Sequence, residues 1–365
     1  MKIECIKEKI VSAIVTADKA TGKNPTLPIL SSIYLEASQN SLLIRATNLD
    51  VGIELIVPVK VVEKGNVVVQ GAVLANLLIN LKDEKVVLET VESGFAVTTK
   101  STGAIIKTFP ADDFPTIPKI EEGKKAIIES NAFLSGLEAV SYAAAVTSVK
   151  PELSSVYIHA DGEELVFVAT DSFRLGEKRV LAKKTRDFEG VLIPLKNISE
   201  ITRFLGAGRQ DIEVVFGAGQ ISFSKDGAYL VSRVIDGIFP DYKQIIPKEF
   251  KTEATLLKQD FVEALKLAHV FSDAFNQVTL RLVPGEKLFE IMTKNSNLGE
   301  NHSTLDAVLK GEDLELSFNY KYLVDCFQSI ESDSLSLAFQ GPGKPMLIKG
   351  VSDKTFLAIV MPMNK

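Results

Sequence analysis

Apolar positions in this chain follow two periods in turn, and that alternation recurs three times. Ile6, Ile10, Ala13, Ile14 and Ala17 fall at steps of three and four, as do Phe133, Leu137, Val140 and Ala144, and then Phe261, Leu265 and Ala268. Such stripes predict amphipathic helices. A second stripe follows each: Leu74, Leu77, Leu81, then Ile198, Ile201, Leu205, then Leu323, Cys326, Ile330. The intervening runs are short, rich in β-branched residues and bounded by glycine or polar turns. Val57–Val62, Lys85–Val91, Gly94–Thr99, Leu165–Ala169 and Ile212–Phe216 are examples, and they predict strands. One strand-like run in each third ends in Ala46-Thr47-Asn48, Ala169-Thr170-Asp171 or Met292-Thr293-Lys294, with 123 residues from Thr47 to Thr170 and again from Thr170 to Thr293. The second stripes start 124 and 125 residues apart, at 74, 198 and 323. Two markers sharing one domain-sized period predict three similar domains in tandem. Two helices on antiparallel strands make each an α+β unit.

Proline marks the seams. Phe109–Pro118 carries Pro110, Pro115 and Pro118, and Phe239-Pro240-Asp241-Tyr242 is followed by Pro247. Proline fixes φ and lacks a donor, so these stretches are expected to leave the sheet and run extended. Domains at 1–121, 122–246 and 247–365 follow. The 365 residues are 46% hydrophobic and 24% charged, ample for several cores and unlike a disordered chain. No apolar run is long enough for a bilayer, and Met1-Lys2-Ile3-Glu4 lacks the apolar core of a signal peptide, so no membrane partner and a cytoplasmic location are expected. Cys5 and Cys326 lie among apolar residues without metal-ligand spacing and are expected to be buried free thiols.

Catalytic signatures are missing from the sequence. It has no phosphate-cradling glycine loop, and His159, His269 and His302 have no metal-ligand spacing. Asp112 and Asp113 fall in a proline linker, where they read as turn formers. These features point to a non-catalytic binding or scaffold protein with no cofactor and no metal.

Pro25-Thr26-Leu27-Pro28-Ile29-Leu30, Ala169-Thr170-Asp171-Ser172-Phe173-Arg174-Leu175, Asp236-Gly237-Ile238-Phe239-Pro240-Asp241-Tyr242 and Val360-Met361-Pro362-Met363 occur in that order over the full length. In this the chain resembles the bacterial sliding clamp, the β subunit of DNA polymerase III. The resemblance implies three like domains (the DNA clamp fold) and a head-to-tail homodimer closed into a ring, with helices lining the hole. Such a ring encircles double-stranded DNA without reading sequence and acts as a processivity factor for DNA replication. Head-to-tail contacts that close give rings by symmetry, and phosphate contacts carry no sequence information. The implied partners are the DNA polymerase III α subunit, the clamp loader and other clamp-binding-motif proteins.

The resemblance also implies site residues. A peptide groove would be lined by Leu153, Thr170, Ser172, Phe173, Arg174, Leu175, Pro240, Ile245, Asn319, Tyr322, Pro345, Ile359, Met361, Pro362 and Met363. The family often carries Gly-His where this chain has Ser172-Phe173. Residues facing DNA would be Lys7, Lys23, Lys150, Lys196 and Arg203. The dimer interface would use Ala104 and Ile106 on an exposed strand edge, meeting Val270 and Phe271. The expected helices balance eight basic residues against seven acidic ones, a thin lining beside the chain's net charge of −6. Direct DNA affinity is therefore expected to be feeble and salt-sensitive, with loading by a separate ATPase. The alternative is a three-domain scaffold that keeps the groove and does not encircle DNA.

Overall fold

Every helix begins where a strand stops. In the computed structural model, which describes residues 1–22, 27–147, 149–185, 188, 190–206 and 208–363, α1 (Lys7–Lys19), α2 (Gly71–Asn80) and α3 (Ser130–Ser141) directly follow the strands Lys2–Ile6, Gly65–Gln70 and Lys124–Glu129. In the same way α4 (Leu195–Leu205), α5 (Lys258–Val270) and α6 (Tyr320–Cys326) follow Val191–Pro194, Thr252–Leu257 and Leu314–Asn319. The residue before α1, α2 and α5 is extended and offers no side-chain cap (Ile6, Gln70 and Leu257). Before α6 a cap does form, where Asn319 accepts a hydrogen bond from the Lys321 N–H. The helices start at 7, 71, 130, 195, 258 and 320. The period read from the sequence is thus divided into two strand–helix halves.

The buried faces follow the expected stripes, with local differences. α1 buries Ile10, Ile14 and Ala17, but Ile6 ends a strand and is exposed, so the strand Lys2–Ile6 takes residues read as the helix's entry. α2 buries Leu74, Ala75 and Leu78, and Leu77 lies only half-buried beside them. α6 stops at Cys326, and Ile330 reaches the core beyond a 3₁₀ turn at Phe327–Ser329. The run Val57–Val62 is two strands, Val51–Pro58 and Lys60–Glu63.

The described residues form two compact units, Met1–Asn131 with Lys196–Val234, and Ala132–Leu195 with Ile235–Lys365. Each has a nine-stranded sheet and a smaller one, of five strands in the first unit and four in the second. In the first unit, Val51–Pro58 pairs antiparallel with Ala228–Arg233, from Leu55 opposite Ala228 to Val51 opposite Ser232. In the second, Arg174–Leu181 pairs with Phe356–Val360, from Arg174 opposite Val360 to Lys178 opposite Phe356. Each large sheet therefore joins strands from two sequence repeats. Large side chains fill the second unit: Phe261 meets Phe289 and Phe327 edge-on at 5.9 and 5.5 Å, and Phe133 meets Phe167 at 5.1 Å. Edge-on pairs satisfy the ring quadrupoles.

The proline linkers are anchored, and each contains a 3₁₀ turn, at Ala111–Asp113 and at Tyr242–Gln244. Ile117 is buried in the first unit. In the second unit Phe239 and Tyr242 enter a core with Val166, Val168, Leu175, Leu347 and Ile359. Cys326 is buried as expected, whereas Cys5 is half-buried, and burial pushes its thiol up to about 11.

Candidate functional site

A four-residue turn builds one side of a groove. At the end of strand Glu164–Thr170, the Thr170 hydroxyl donates to the Arg174 carbonyl at 2.7 Å and accepts from the Ser172 N–H at 3.1 Å. Asp171 Oδ1 accepts from the N–H groups of Phe173 and Arg174 at 2.9 and 3.0 Å. Short polar side chains hold turns by such local bonds. Ser172 sits at φ 79°, left-handed, a conformation that glycine adopts without a Cβ penalty. Ser172→Gly is expected to stabilise the protein by about 0.5–1 kcal/mol. A urea midpoint that falls would contradict this.

Beside the turn lies a cavity of about 420 Å³ within the second unit. Of the residues anticipated for the groove, Thr170, Ser172, Phe173, Arg174, Leu175, Ile245, Pro345, Ile359 and Met361 line it. Gln244, Gln340, Gly343 and Lys344 line it too and were not anticipated. Gln244 arrives on the 3₁₀ turn after Pro240, and the others on the loop after strand Ser334–Phe339. The one available signal was the Gly-Pro-Gly run at 341–343, which reads only as a turn.

The remaining expected residues do not line this cavity. Leu153 is buried, and its N–H donates to the Lys150 carbonyl at 3.0 Å. Pro240 is exposed, two residues before the turn at Tyr242–Gln244. Asn319 caps α6 and donates to the Phe275 carbonyl at 3.2 Å. Tyr322 stacks on Phe173 at 6.5 Å, extending the wall outward. Pro362 and Met363 continue the tail, where the Met361 N–H bonds the Phe173 carbonyl and the Met363 N–H bonds the Ser317 carbonyl, each at 2.8 Å.

Arg174 is held rather than offered. It donates to Asp171 at 3.0 Å and Asp325 at 2.5 Å, and its guanidinium lies 4.7 Å from the centre of the Tyr322 ring and 5.5 Å from that of Tyr142. Burial alone would lower its pKa, but the hydrogen bonds and charge of Asp325 and Asp171 outweigh it and raise the pKa. The charged wall is therefore already neutralised, and the exposed Lys344 carries the groove's remaining cation. Behind the turn at Tyr242–Gln244, the Tyr242 hydroxyl and His159 Nε2 are 3.2 Å apart. Burial lowers the pKa of His159, although its bond to the Ala160 carbonyl opposes this.

The other anticipated residues have varied settings. Lys23 lies outside the described residues. Lys7 donates to the Leu81 carbonyl at 2.8 Å, closing the end of α2, and Lys196 is paired with Asp50 at 2.6 Å. Lys150 and Arg203 are exposed. Gly103–Ile106 is one of the two outer strands of the five-stranded sheet, and Gly299–Leu305 is one of the two of the four-stranded sheet. Ala104 is half-exposed on the first of these, but Ile106 turns inward at 7% exposure while Ile105 turns outward at 60%. Successive side chains alternate faces, so Ile105 and not Ile106 is the exposed isoleucine of this strand. Val270 is exposed at the end of α5 and Phe271, next to it, is half-buried. Among the described residues, no three His, Cys, Asp or Glu side chains gather to hold a metal ion, and no helix is long and apolar enough to cross a membrane.

The tandem α+β repeats find counterparts among known proteins. Models of the DNA polymerase III beta subunit match in chain order: the N-terminal domain over residues 1–118, the central domain over 127–241 and the C-terminal domain over 243–364. The chain belongs to the DNA polymerase III beta subunit family. A beta sliding clamp of Staphylococcus epidermidis is 24% identical over 356 residues, covering 95% of this chain and 94% of the relative. The crystal structure of the Thermotoga maritima beta subunit superposes with a TM-score of 0.93 at 27% identity, covering 100% of this chain and 99% of that one. The Bacillus subtilis DNA polymerase sliding clamp gives 0.95 at 24% identity, covering 100% and 99%.

Proposed function

We infer that this chain works as a sliding clamp, a processivity factor without catalytic activity of its own, and that it acts as a closed homodimer around duplex DNA. The observation that carries the reading is the run of three family-model matches, N-terminal, central and C-terminal in order, over nearly the whole length. The proposed domains are 1–121, 122–246 and 247–365. A ring holds DNA by topology, so its contacts with phosphate stay weak enough for sliding. The charge pattern supports weak contacts, since Lys7 and Lys196 spend their ammonium groups on Leu81 and Asp50, leaving Lys150 and Arg203 exposed.

The groove beside Thr170–Leu175 is the proposed landing site for short peptides of the polymerase α subunit, the clamp loader and other clamp-binding-motif proteins. Its apolar floor of Leu175 and Ile359, rimmed by a few polar groups, supports this use. The proposed dimer joins the outer strand Gly103–Ile106, with Ala104 and Ile106 on one face and exposed Ile105 on the other, to the outer strand Gly299–Leu305 and to Val270 and Phe271 of a second copy. Unpaired strand edges with apolar side chains favour such pairing.

Retention on circular DNA tests this reading. The protein, loaded on nicked plasmid by a clamp loader, is expected to co-elute with the DNA in gel filtration and to be lost when the plasmid is cut. Val270→Asp is expected to abolish retention. Co-elution indifferent to cutting would overturn encirclement and favour a scaffold that uses the same groove.

A further inference from the structure

The turn that builds the groove is present a second time, in the first unit. Thr47 donates to the Val51 carbonyl at 2.9 Å and accepts from the Leu49 N–H at 3.0 Å. Asn48 Oδ1 accepts from the N–H groups of Asp50 and Val51 at 3.0 and 2.7 Å, and Leu49 is left-handed at φ 73°. These are the bonds of Thr170, Asp171 and Ser172, made 123 residues earlier. The neighbouring strand repeats the match: the Arg233 N–H donates to the Asp50 carbonyl at 2.8 Å, as the Met361 N–H does to Phe173. A cavity of about 260 Å³ opens here, lined by Leu49, Asp50, Pro115, Pro118, Gln220 and Arg233 among others.

Two substitutions of chemistry separate the copies. Gly52 stands at the position of Leu175, and Ile117 packs to 2.9 Å from where a Cβ on Gly52 would lie. The chain's own isoleucine thus fills the floor, and the cavity is the smaller of the two, about 260 Å³ against about 420 Å³. The mouth, formed elsewhere by Phe173 and Met361, is here Asp50 and Arg233. Lys196 neutralises Asp50 at 2.6 Å, whereas Arg233 is exposed and has no acidic partner among the described residues. One uncompensated positive charge remains beside exposed Leu49 and two prolines.

We propose that this second groove binds a short acidic peptide segment, with a carboxylate on Arg233 and one apolar side chain against Leu49, Pro115 and Pro118. Guanidinium and carboxylate match in geometry and charge, and a partner chosen this way is distinct from one suited to the apolar first groove. Few anchors and a solvent-exposed ion pair make the binding weak and salt-sensitive.

The test uses the full chain and a fluorescein-labelled peptide in which aspartates flank two leucines, followed by anisotropy at low and high salt. To silence the first groove, residues 361–365 are removed in a parallel sample. Binding is expected to survive that deletion, to fall about tenfold in Arg233→Glu, and to be largely restored in Arg233→Lys. Leu49→Gly, which keeps the left-handed turn, is expected to weaken it several-fold. Unchanged thermal melts of the Arg233 variants separate lost binding from lost folding. No binding by the deleted chain, or binding indifferent to Arg233→Glu, overturns the proposal while leaving the clamp reading intact.

Discussion

Deleting residues 361–365 is expected to weaken binding of a clamp-binding-motif peptide at least about 100-fold while leaving the melting temperature nearly unchanged. Peptide affinity is concentrated in a few buried anchors, and unseating two anchor side chains of the peptide at about 2 kcal/mol each exceeds this factor. Met361 lines the groove directly, and its N–H ties the tail to Phe173, so the deletion removes both a wall and the bond that sets its position. The fold depends little on the same residues, because Phe356–Val360 remains paired with Arg174–Leu181. Isothermal titration with a partner-derived peptide decides the matter. Near-native affinity would mean that the peptide lands elsewhere. A large drop in melting temperature would mean that the tail is structural.

Gly136→Ala is expected to destabilise the protein by about 2 kcal/mol, against the direction that helix propensity predicts. Replacing an interior helix glycine by alanine ordinarily gains about 1 kcal/mol. Here a Cβ would stand 2.5 Å from two carbons of the Phe167 ring, and that ring is fully buried edge-on to Phe133. Overpacking a rigid core costs about 1–3 kcal/mol, and a contact this short falls at the upper end. Phe167→Leu in the same chain is expected to recover part of the loss, since it removes the ring that the new methyl strikes. Urea unfolding of the single and double variants measures both effects. An Ala variant more stable than the parent would show that α3 can shift away from Phe167 at little cost.

Much of this architecture was legible because it depends on periodicity. The stripes of α1, α3, α4 and α5 lie where the steps of three and four put them, and Thr47 and Thr170 mark the same turn, built by the same bonds. The third marker is different in kind. Thr293 donates to the Ala268 carbonyl, and the turn-forming role passes to Asn295, whose side chain accepts from the Asn297 N–H. The finer two-part division escaped notice because its sign is a strand running straight into a helix, mostly without the Ser, Thr or Asp cap that marks a helix start in sequence.

At the groove, the resemblance pointed to the turn and the tail. Gln244, Gln340 and Lys344 come from loops whose approach depends on how distant strands pair, which no local pattern records. The edge strand had a different obstacle. Ala104, Ile105 and Ile106 are all apolar, so polarity gives no clue to which side faces inward, and only the pairing of Phe95 with Ile106 fixes it.

The two seams within the large sheets have a mechanical consequence. Val51–Pro58 and Ala228–Arg233 adhere along five consecutive residue pairs, as do Arg174–Leu181 and Phe356–Val360. A force along the strands must shear those bonds together instead of peeling them singly. The proline linkers are pinned at Ile117, Phe239 and Tyr242, and tension between successive repeats runs through the sheets. Yielding is left to the outer strands, which have a neighbour on one side only.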